Sequence, residues 1–139
     1  MAAHGCAVAL ERAALQHIVA TVATGEATAL GTVSVTFLSA PSMRALNRRA
    51  LARDRVTDVI AFAMAHGERR LADLYVCPAQ AKAAAGRLGM SVREELVRLV
   101  VHGLLHAAGH DHPAGAGRTR SPMWRRQERY VRRLMSVLG

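Results

Sequence analysis

The chain has 139 residues, of which 51% are hydrophobic and 4% are aromatic, and its net charge is +9 at pH 7. This length predicts one domain, over residues 1–139, with a core of aliphatic side chains. No apolar run reaches the roughly 18 residues of a membrane-spanning helix, and the first residues lack a signal-peptide pattern, so we expect a cytoplasmic protein with no membrane partner. All but one of the 19 basic residues are arginines, which favours a polyanionic partner such as nucleic acid.

Apolar periodicity predicts alternating helices and strands along the first two thirds of the chain. In chain order these are a helix over 8–23, a strand over 32–38, a helix over 42–52, strands over 57–64 and 71–77, and a helix over 79–88. The segment over 24–31 is expected to be a polar connection. The turn that contains Gly67 predicts that the second and third strands form a hairpin.

Two helices with clear capping signals complete the chain. Ser91 and Glu94 form a capping box, which predicts a helix over 92–108, and its many apolar residues make it central to the fold. Ser121 and Pro122 have the residue types of an N-cap and a first helical position, so a last helix begins there. The element order therefore predicts an α+β fold in which a small mixed sheet is packed with about five helices.

Three histidines near the end of the central helix have the spacing of a metal site. His102 and His106 are four residues apart, so on a helix they lie on one face, one turn apart. Gly109 can end the helix in the left-handed conformation, and the chain can then bring His112 back as a third ligand. Three imidazoles with an open fourth position are typical of catalytic Zn²⁺, although another divalent metal is not excluded. We expect one Zn²⁺ per chain and no small-molecule cofactor.

The spacing H-x-x-x-H-x-x-G-x-x-H resembles that of the metzincin zinc proteases, which predicts a metzincin-like zinc-site helix. Those proteases have a glutamate after the first histidine, where it acts as a general base. This chain has Gly103 at that place, and glycine can neither accept nor deliver a proton. A metalloprotease therefore remains only as an alternative.

Residues 102–112 also resemble the H-G-x-L-H-x-x-G-Y-D-H signature of the YbeY family of bacterial metal-dependent endoribonucleases. Weaker matches, in the family's order, are Leu46-Asn47 with Asp54, the segment 57–62, Ala72-Asp73-Leu74, and Met123 with Gln127-Glu128. The resemblance implies zinc-dependent cleavage of single-stranded RNA in rRNA maturation and ribosome biogenesis or quality control. It also implies contact with the ribosome or ribosomal proteins.

One departure from the family's pattern concerns the site itself. Leu51 stands where the family has an arginine that serves the active site. Arg48, Arg49 or Arg53 could replace it, and of these Arg53 is the one that we name as catalytic. The departure keeps open a non-catalytic, ribosome-associated zinc protein as a further alternative. Asp111, next to a metal ligand, is the candidate general base, or a partner that orients a ligand, or a turn carboxylate.

Arginines form two clusters with few acidic neighbours. One lies over residues 44–55 and contains Asp54, and the other lies over 118–133 and contains Glu128. Solvated helix faces usually mix both signs of charge, so these clusters favour RNA contact over a merely solvated surface. The residues that we expect to bind RNA are Arg48, Arg49, Arg125, Arg126 and Arg129. With few aromatics for base stacking, contact with the RNA backbone is favoured over base recognition.

Overall fold

The computed structural model describes residues 2–4, 10–26, 30–109 and 121–139. Within these ranges the chain has four strands and five helices. The strands are β1 (Ala2–His4), β2 (Leu30–Leu38), β3 (Val59–His66) and β4 (Arg69–Val76). The helices are α1 (Arg12–Glu26), α2 (Ala40–Leu51), α3 (Pro78–Leu88), α4 (Val92–Ala107) and α5 (Pro122–Leu138).

The four strands form one mixed sheet in the order β1-β2-β4-β3. β2 is parallel to both β1 and β4, whereas β3 and β4 form the predicted antiparallel hairpin, with His66 opposite Arg69. Gly67 starts the hairpin turn with a φ of +64°, a left-handed conformation that glycine adopts without steric cost. In the part of the chain that the structure describes, β3 lies at an edge of the sheet.

Helix α4 lies at the centre and contacts α1, α3, α5, β3 and β4. Its start agrees with the predicted capping box, because the Ser91 hydroxyl oxygen accepts a hydrogen bond of 3.0 Å from the Glu94 amide. Its apolar face, with Leu96, Val100 and Leu104, is fully buried in the main core together with Leu74 of β4. Burying a leucine side chain contributes about 1.5–3 kcal/mol, so the core fixes the position of α4 strongly.

Helix α2 packs on the other face of the sheet, where Met43 is buried with Ile60 and Cys77 in a smaller core. At its C-terminus Ala52 adopts the left-handed conformation, with a φ of +53°. The amides of Ala52 and Arg53 both donate to the carbonyl of Asn47. The chain therefore leaves α2 in a tight turn, and this turn determines where Arg53 lies.

The predicted α+β fold, with a small mixed sheet and about five helices, is confirmed. The predicted bounds of the first helix are wrong, because α1 begins at Arg12 and extends three residues into the expected connection, as far as Glu26. There the Glu26 carboxylate accepts a hydrogen bond of 2.6 Å from the Tyr130 hydroxyl of α5, a tertiary contact that local pattern does not encode. β1 has three residues, too few to show periodicity, and is absent from the predicted elements. No helix within the described ranges combines the length and the apolar character needed to cross a bilayer.

Candidate metal centre and adjoining groove

The last turns of α4 bring two of the predicted metal ligands together. The Nε2 atoms of His102 and His106 are 3.1 Å apart, and the ring planes are inclined by 76°. A tetrahedral Zn²⁺ with Zn–N bonds of about 2.0–2.1 Å would separate two ligand nitrogens by roughly 3.3 Å, so this pair fits two ligands of one ion. The predicted third ligand, His112, and the predicted base, Asp111, lie outside the described residues.

The described ranges contain no group of three His, Cys, Asp or Glu side chains that could hold a metal ion. The three-histidine site thus stays a prediction that depends on His112. The end of α4 is nevertheless arranged as the spacing predicts, since Gly109 has a φ of +105° and its amide donates to the His106 carbonyl at 3.0 Å. Arg70 of β4 also donates a hydrogen bond of 3.0 Å to the Ala107 carbonyl, which satisfies a carbonyl that the helix end leaves without a partner.

Gly103, between the two histidines, allows α4 to lie close to the sheet. A β-carbon built on Gly103 would lie 2.8 Å from Leu74 Cδ2 and 3.5 Å from Val59 Cγ2. The first distance is shorter than any ordinary carbon–carbon contact. A glutamate, the residue of the metzincin proteases, therefore does not fit at this position without displacing the helix or Leu74.

A groove of about 470 Å³ runs beside the histidine pair. Its walls are the end of α4, the edge strand β3 and the turn after α2. The described residues that line it are Asn47, Leu51, Arg53, Thr57 to Ala63, His102, Gly103, His106 and Ala107. The groove thus brings the predicted catalytic residue Arg53 to the same cavity as the two predicted ligands.

The position of Arg53 depends on buried Asn47. Asn47 is 1% exposed, and its side-chain Nδ2 donates a hydrogen bond of 2.9 Å to the Arg55 carbonyl. The backbone carbonyl of Asn47 accepts from the Arg53 amide at 3.2 Å. Asn47 therefore holds both sides of the turn that carries Arg53. Leu51, which stands where the family has an arginine, lines the same groove and is 39% exposed.

None of the five predicted RNA-binding arginines is among the residues that line this groove. Arg48 lies 2.7 Å from Asp54, and Arg44 binds the same carboxylate at 2.7 Å. These two guanidinium groups hold the pKa of Asp54 well below its usual range. Arg126 lies 3.4 Å from Glu26. The remaining three, which are exposed, are Arg49, Arg125 and Arg129.

A network of polar side chains contacts His102 on its Nδ1 side, and the local sequence pattern does not predict it. His102 Nδ1 lies 2.7 Å from Gln127 Oε1, and Gln127 Nε2 donates to Glu128 at 3.0 Å. Glu128 also accepts two hydrogen bonds of 2.9 Å from Arg98 of α4. Gln127 and Glu128 match the family's pattern only weakly, and their contacts depend on how α5 packs on α4, which spacing along the chain does not reveal.

Arg98 is the cation of this network and contacts three carboxylates, those of Glu94, Glu95 and Glu128, at 3.2, 3.0 and 2.9 Å. Burial acts to lower the pKa of Arg98, but its hydrogen bonds with Glu128 and Glu95 outweigh burial and raise it. Burial raises the pKa of Glu95, against the opposing effect of Arg98. For Glu128 burial also acts to raise the pKa, but the hydrogen bonds from Arg98 and Gln127 prevail and lower it. Glu128 is therefore a carboxylate anion at neutral pH.

A second cavity, of about 550 Å³, lies on the other side of His102 and shares Asp58 and His102 with the groove. Asp58 borders both spaces, while its carboxylate accepts a hydrogen bond of 2.8 Å from the Val59 amide at the start of β3. Trp124 of α5 lines the second cavity together with the Arg98 network. His102 thus borders both cavities, while its Nδ1 atom is held by Gln127.

Comparison with known proteins gives a family for the chain. The family model described as Endoribonuclease YbeY matches residues 7–135. A relative of that name from Koribacter versatilis is 42% identical over 88 residues, which cover 63% of this chain and 57% of the relative. Another from Sulfurihydrogenibium is 36% identical over 84 residues, which cover 58% of this chain and 55% of the relative. The matched segments span less than two thirds of either relative.

The fold is similar to a solution structure of a protein from Thermotoga maritima. The TM-score is 0.69 and the sequence identity is 25%, and the match covers 97% of this chain and 88% of that one. The likeness therefore extends over almost the whole described fold, including the helix that carries the histidine pair. Since the family model also matches nearly the full length, from residue 7 to residue 135, the chain belongs to the YbeY family.

Proposed function

We propose that this protein is a metal-dependent endoribonuclease that cleaves single-stranded RNA during rRNA maturation, in the cytoplasm and in association with the ribosome. The observation that carries the proposal is the groove, in which a pair of imidazoles one helical turn apart lies in the same cavity as Arg53. Membership of a family whose relatives are named endoribonucleases supports RNA as the substrate.

We propose Zn²⁺ as the metal, held by His102, His106 and His112. When bound, Zn²⁺ supplies Lewis acidity, which activates water near neutral pH and polarises a phosphoryl oxygen. Arg53 is proposed to bind a phosphate in the groove and to balance the negative charge that develops on it during cleavage. Asp111 is proposed to accept the proton of the attacking water, because Gly103 cannot do so.

The RNA chain is proposed to lie along the groove and to continue over the basic surface outside it. Arg49, Arg125 and Arg129 are exposed and are the best placed to bind phosphates. Arg48 and Arg126 are already near Asp54 and Glu26, so their contribution to RNA binding should be smaller. Ribosome quality control and contact with ribosomal proteins belong to the same proposal.

The test measures metal content and RNA cleavage on one preparation. Zinc-loaded protein should cut single-stranded RNA, and both chelation and His106→Ala should abolish cutting, the variant also with loss of bound metal. The matched control is His17→Ala, which changes an exposed histidine of α1. Undiminished cutting by His106→Ala overturns the proposal.

Leu51 in the groove favours one other function, a zinc protein that binds rRNA without cutting it. Zinc-loaded protein that binds RNA tightly and leaves it intact over hours would establish this alternative. The same preparation therefore distinguishes the two functions.

A further inference from the structure

We infer that Gln127 is a positioning residue, which holds His102 in the tautomer that carries its proton on Nδ1 and leaves the Nε2 lone pair directed toward the groove. The inference rests on the proposed function only in the identity of the metal, because it concerns the protein without metal as well. A chain of hydrogen bonds runs from Arg98 through Glu128 and Gln127 to the His102 imidazole.

Glu128 carries a negative charge in this network. Its two carboxylate oxygens accept hydrogen bonds of 2.9 Å from Arg98, which stays protonated because three carboxylates surround it. An ionised carboxylate can only accept hydrogen bonds. The group that lies 3.0 Å from Glu128 Oε2 must therefore be a donor.

The negative charge of Glu128 determines the orientation of the Gln127 amide. The oxygen and nitrogen of a side-chain amide have nearly the same shape, so hydrogen-bond partners decide which is which. Because Glu128 requires a donor, Nε2 of Gln127 faces Glu128 and Oε1 faces His102. Gln127 is 2% exposed, so a rotated amide would lose both partners with little access to solvent in exchange.

The oxygen of Gln127 in turn determines the tautomer of His102. At 2.7 Å from a carbonyl-type oxygen, Nδ1 must carry a proton, and a neutral imidazole protonated there has its lone pair on Nε2. That Nε2 lies 3.1 Å from His106 Nε2. The lone pair required of a metal ligand is thus present at the correct atom before any metal arrives.

This arrangement predicts a measurable contribution to metal affinity. A ligand histidine whose other nitrogen is held by a partner binds metal more tightly, and loss of such a partner weakens binding by about 10–100-fold. Gln127→Met keeps the length of the side chain and removes the strong acceptor. It should lower Zn²⁺ affinity by that factor and leave metal-free His102 with a mixture of both tautomers.

The experiment combines ¹H–¹⁵N NMR of the imidazoles in metal-free protein with Zn²⁺ affinity measured by chelator competition. Wild type should show His102 protonated on Nδ1. Wild type should also bind Zn²⁺ at least tenfold more tightly than Gln127→Met. Gln16→Met, the same change at an exposed position of α1, should match wild type in both measurements.

Wild-type His102 protonated on Nε2 overturns the inference, and this outcome can be read even if Gln127→Met does not fold. Equal Zn²⁺ affinity of wild type and folded Gln127→Met also overturns it. Neither measurement involves RNA. Protein that shows the expected tautomer and affinities but cuts no RNA would refute the proposed function and leave this inference intact.

Discussion

Leu74 of β4 fills the space into which a side chain at Gly103 of α4 would extend. This contact lets the helix that carries the histidine pair lie directly on the sheet, with Val59 on the adjacent edge strand also close. The absence of a side chain at position 103 is thus a requirement of packing. The same requirement removes the metzincin base from the helix.

Gly103→Ala should lower the free energy of unfolding by about 1–3 kcal/mol, because the added methyl group overpacks the contact with Leu74. Urea denaturation provides the measurement. Gly86→Ala in α3 is the control, since a β-carbon there meets nothing within 4 Å and alanine favours helix by about 1 kcal/mol. Equal stability of the two variants would contradict the packing argument.

Ala52→Gly should raise the free energy of unfolding by about 0.5–1 kcal/mol. Ala52 is left-handed with a φ of +53°, a conformation unfavourable for alanine by about 1–2 kcal/mol, and the greater freedom of unfolded glycine offsets part of the gain. Ala45→Gly, at an exposed position of α2, should instead lower the free energy of unfolding by about 1 kcal/mol in the same denaturation experiment. A loss at both positions would show that the left-handed turn carries no strain.

Tyr130 should make the stability depend on pH in the alkaline range. Burial, together with the hydrogen bond to Glu26, raises the pKa of Tyr130 to about 12, whereas an unfolded tyrosine has a pKa near 10. The stabilisation that the neutral Tyr130 hydroxyl contributes to the folded protein is therefore fully present below pH 10 and is lost between about pH 10 and 12. The free energy of unfolding of wild type should therefore fall more steeply over this pH range than that of Tyr130→Phe. Parallel curves for the two proteins would refute the assignment. Tyr75, whose pKa is also raised by its hydrogen bond with Asp73, is present in both proteins, so its titration cancels in the comparison.

Arg53→Ala should lower kcat/KM for RNA cleavage by about 100-fold, because Arg53 is the described arginine that lines the groove beside the histidines. Zinc affinity should not change, since no predicted ligand is removed. Arg12→Ala, which changes an exposed arginine of α1 outside the groove and outside the predicted RNA-binding set, should change kcat/KM less than about threefold. Equal losses from both variants would mean that Arg53 acts only through the overall positive charge.

Leu51→Arg should raise kcat/KM for RNA cleavage about tenfold, because it places a second guanidinium in the groove where Leu51 is partly exposed. One charge-assisted hydrogen bond to phosphate, worth roughly 1.5 kcal/mol, corresponds to this factor. Val137→Arg adds the same charge at an exposed site near the end of α5 and should have little effect. An unchanged rate in Leu51→Arg would indicate that Arg53 already fulfils this role.

Elements with local signals could be predicted from the sequence. Ser91 caps α4 and Ser121 caps α5, with hydrogen bonds from the amides three residues later, as their residue types indicate. Gly89 ends α3 in the left-handed conformation. The pairing of His102 with His106 follows from a four-residue spacing on one helix. Each of these signals lies within about four consecutive residues, the length of one helical turn.

Contacts between distant segments could not be predicted in this way. The end of α1 depends on Tyr130, which is 104 residues away from Glu26, and the support of His102 depends on Gln127 from another helix. The same limit applies to Glu128. Sequence patterning places it as the acidic residue within the α5 arginine cluster, whereas it binds Arg98 of α4 in the structure.

The edge strand β3 forms one wall of the groove with the segment from Val59 to Ala63. In the described part of the chain β3 pairs only with β4, so on its other side alternate peptide groups have no strand partner. Every residue except proline supplies the same peptide N–H and C=O groups. The side chains of Val59 and Ile60 are committed to the two cores, so on this wall the capacity to donate and accept hydrogen bonds lies in the backbone rather than in those side chains.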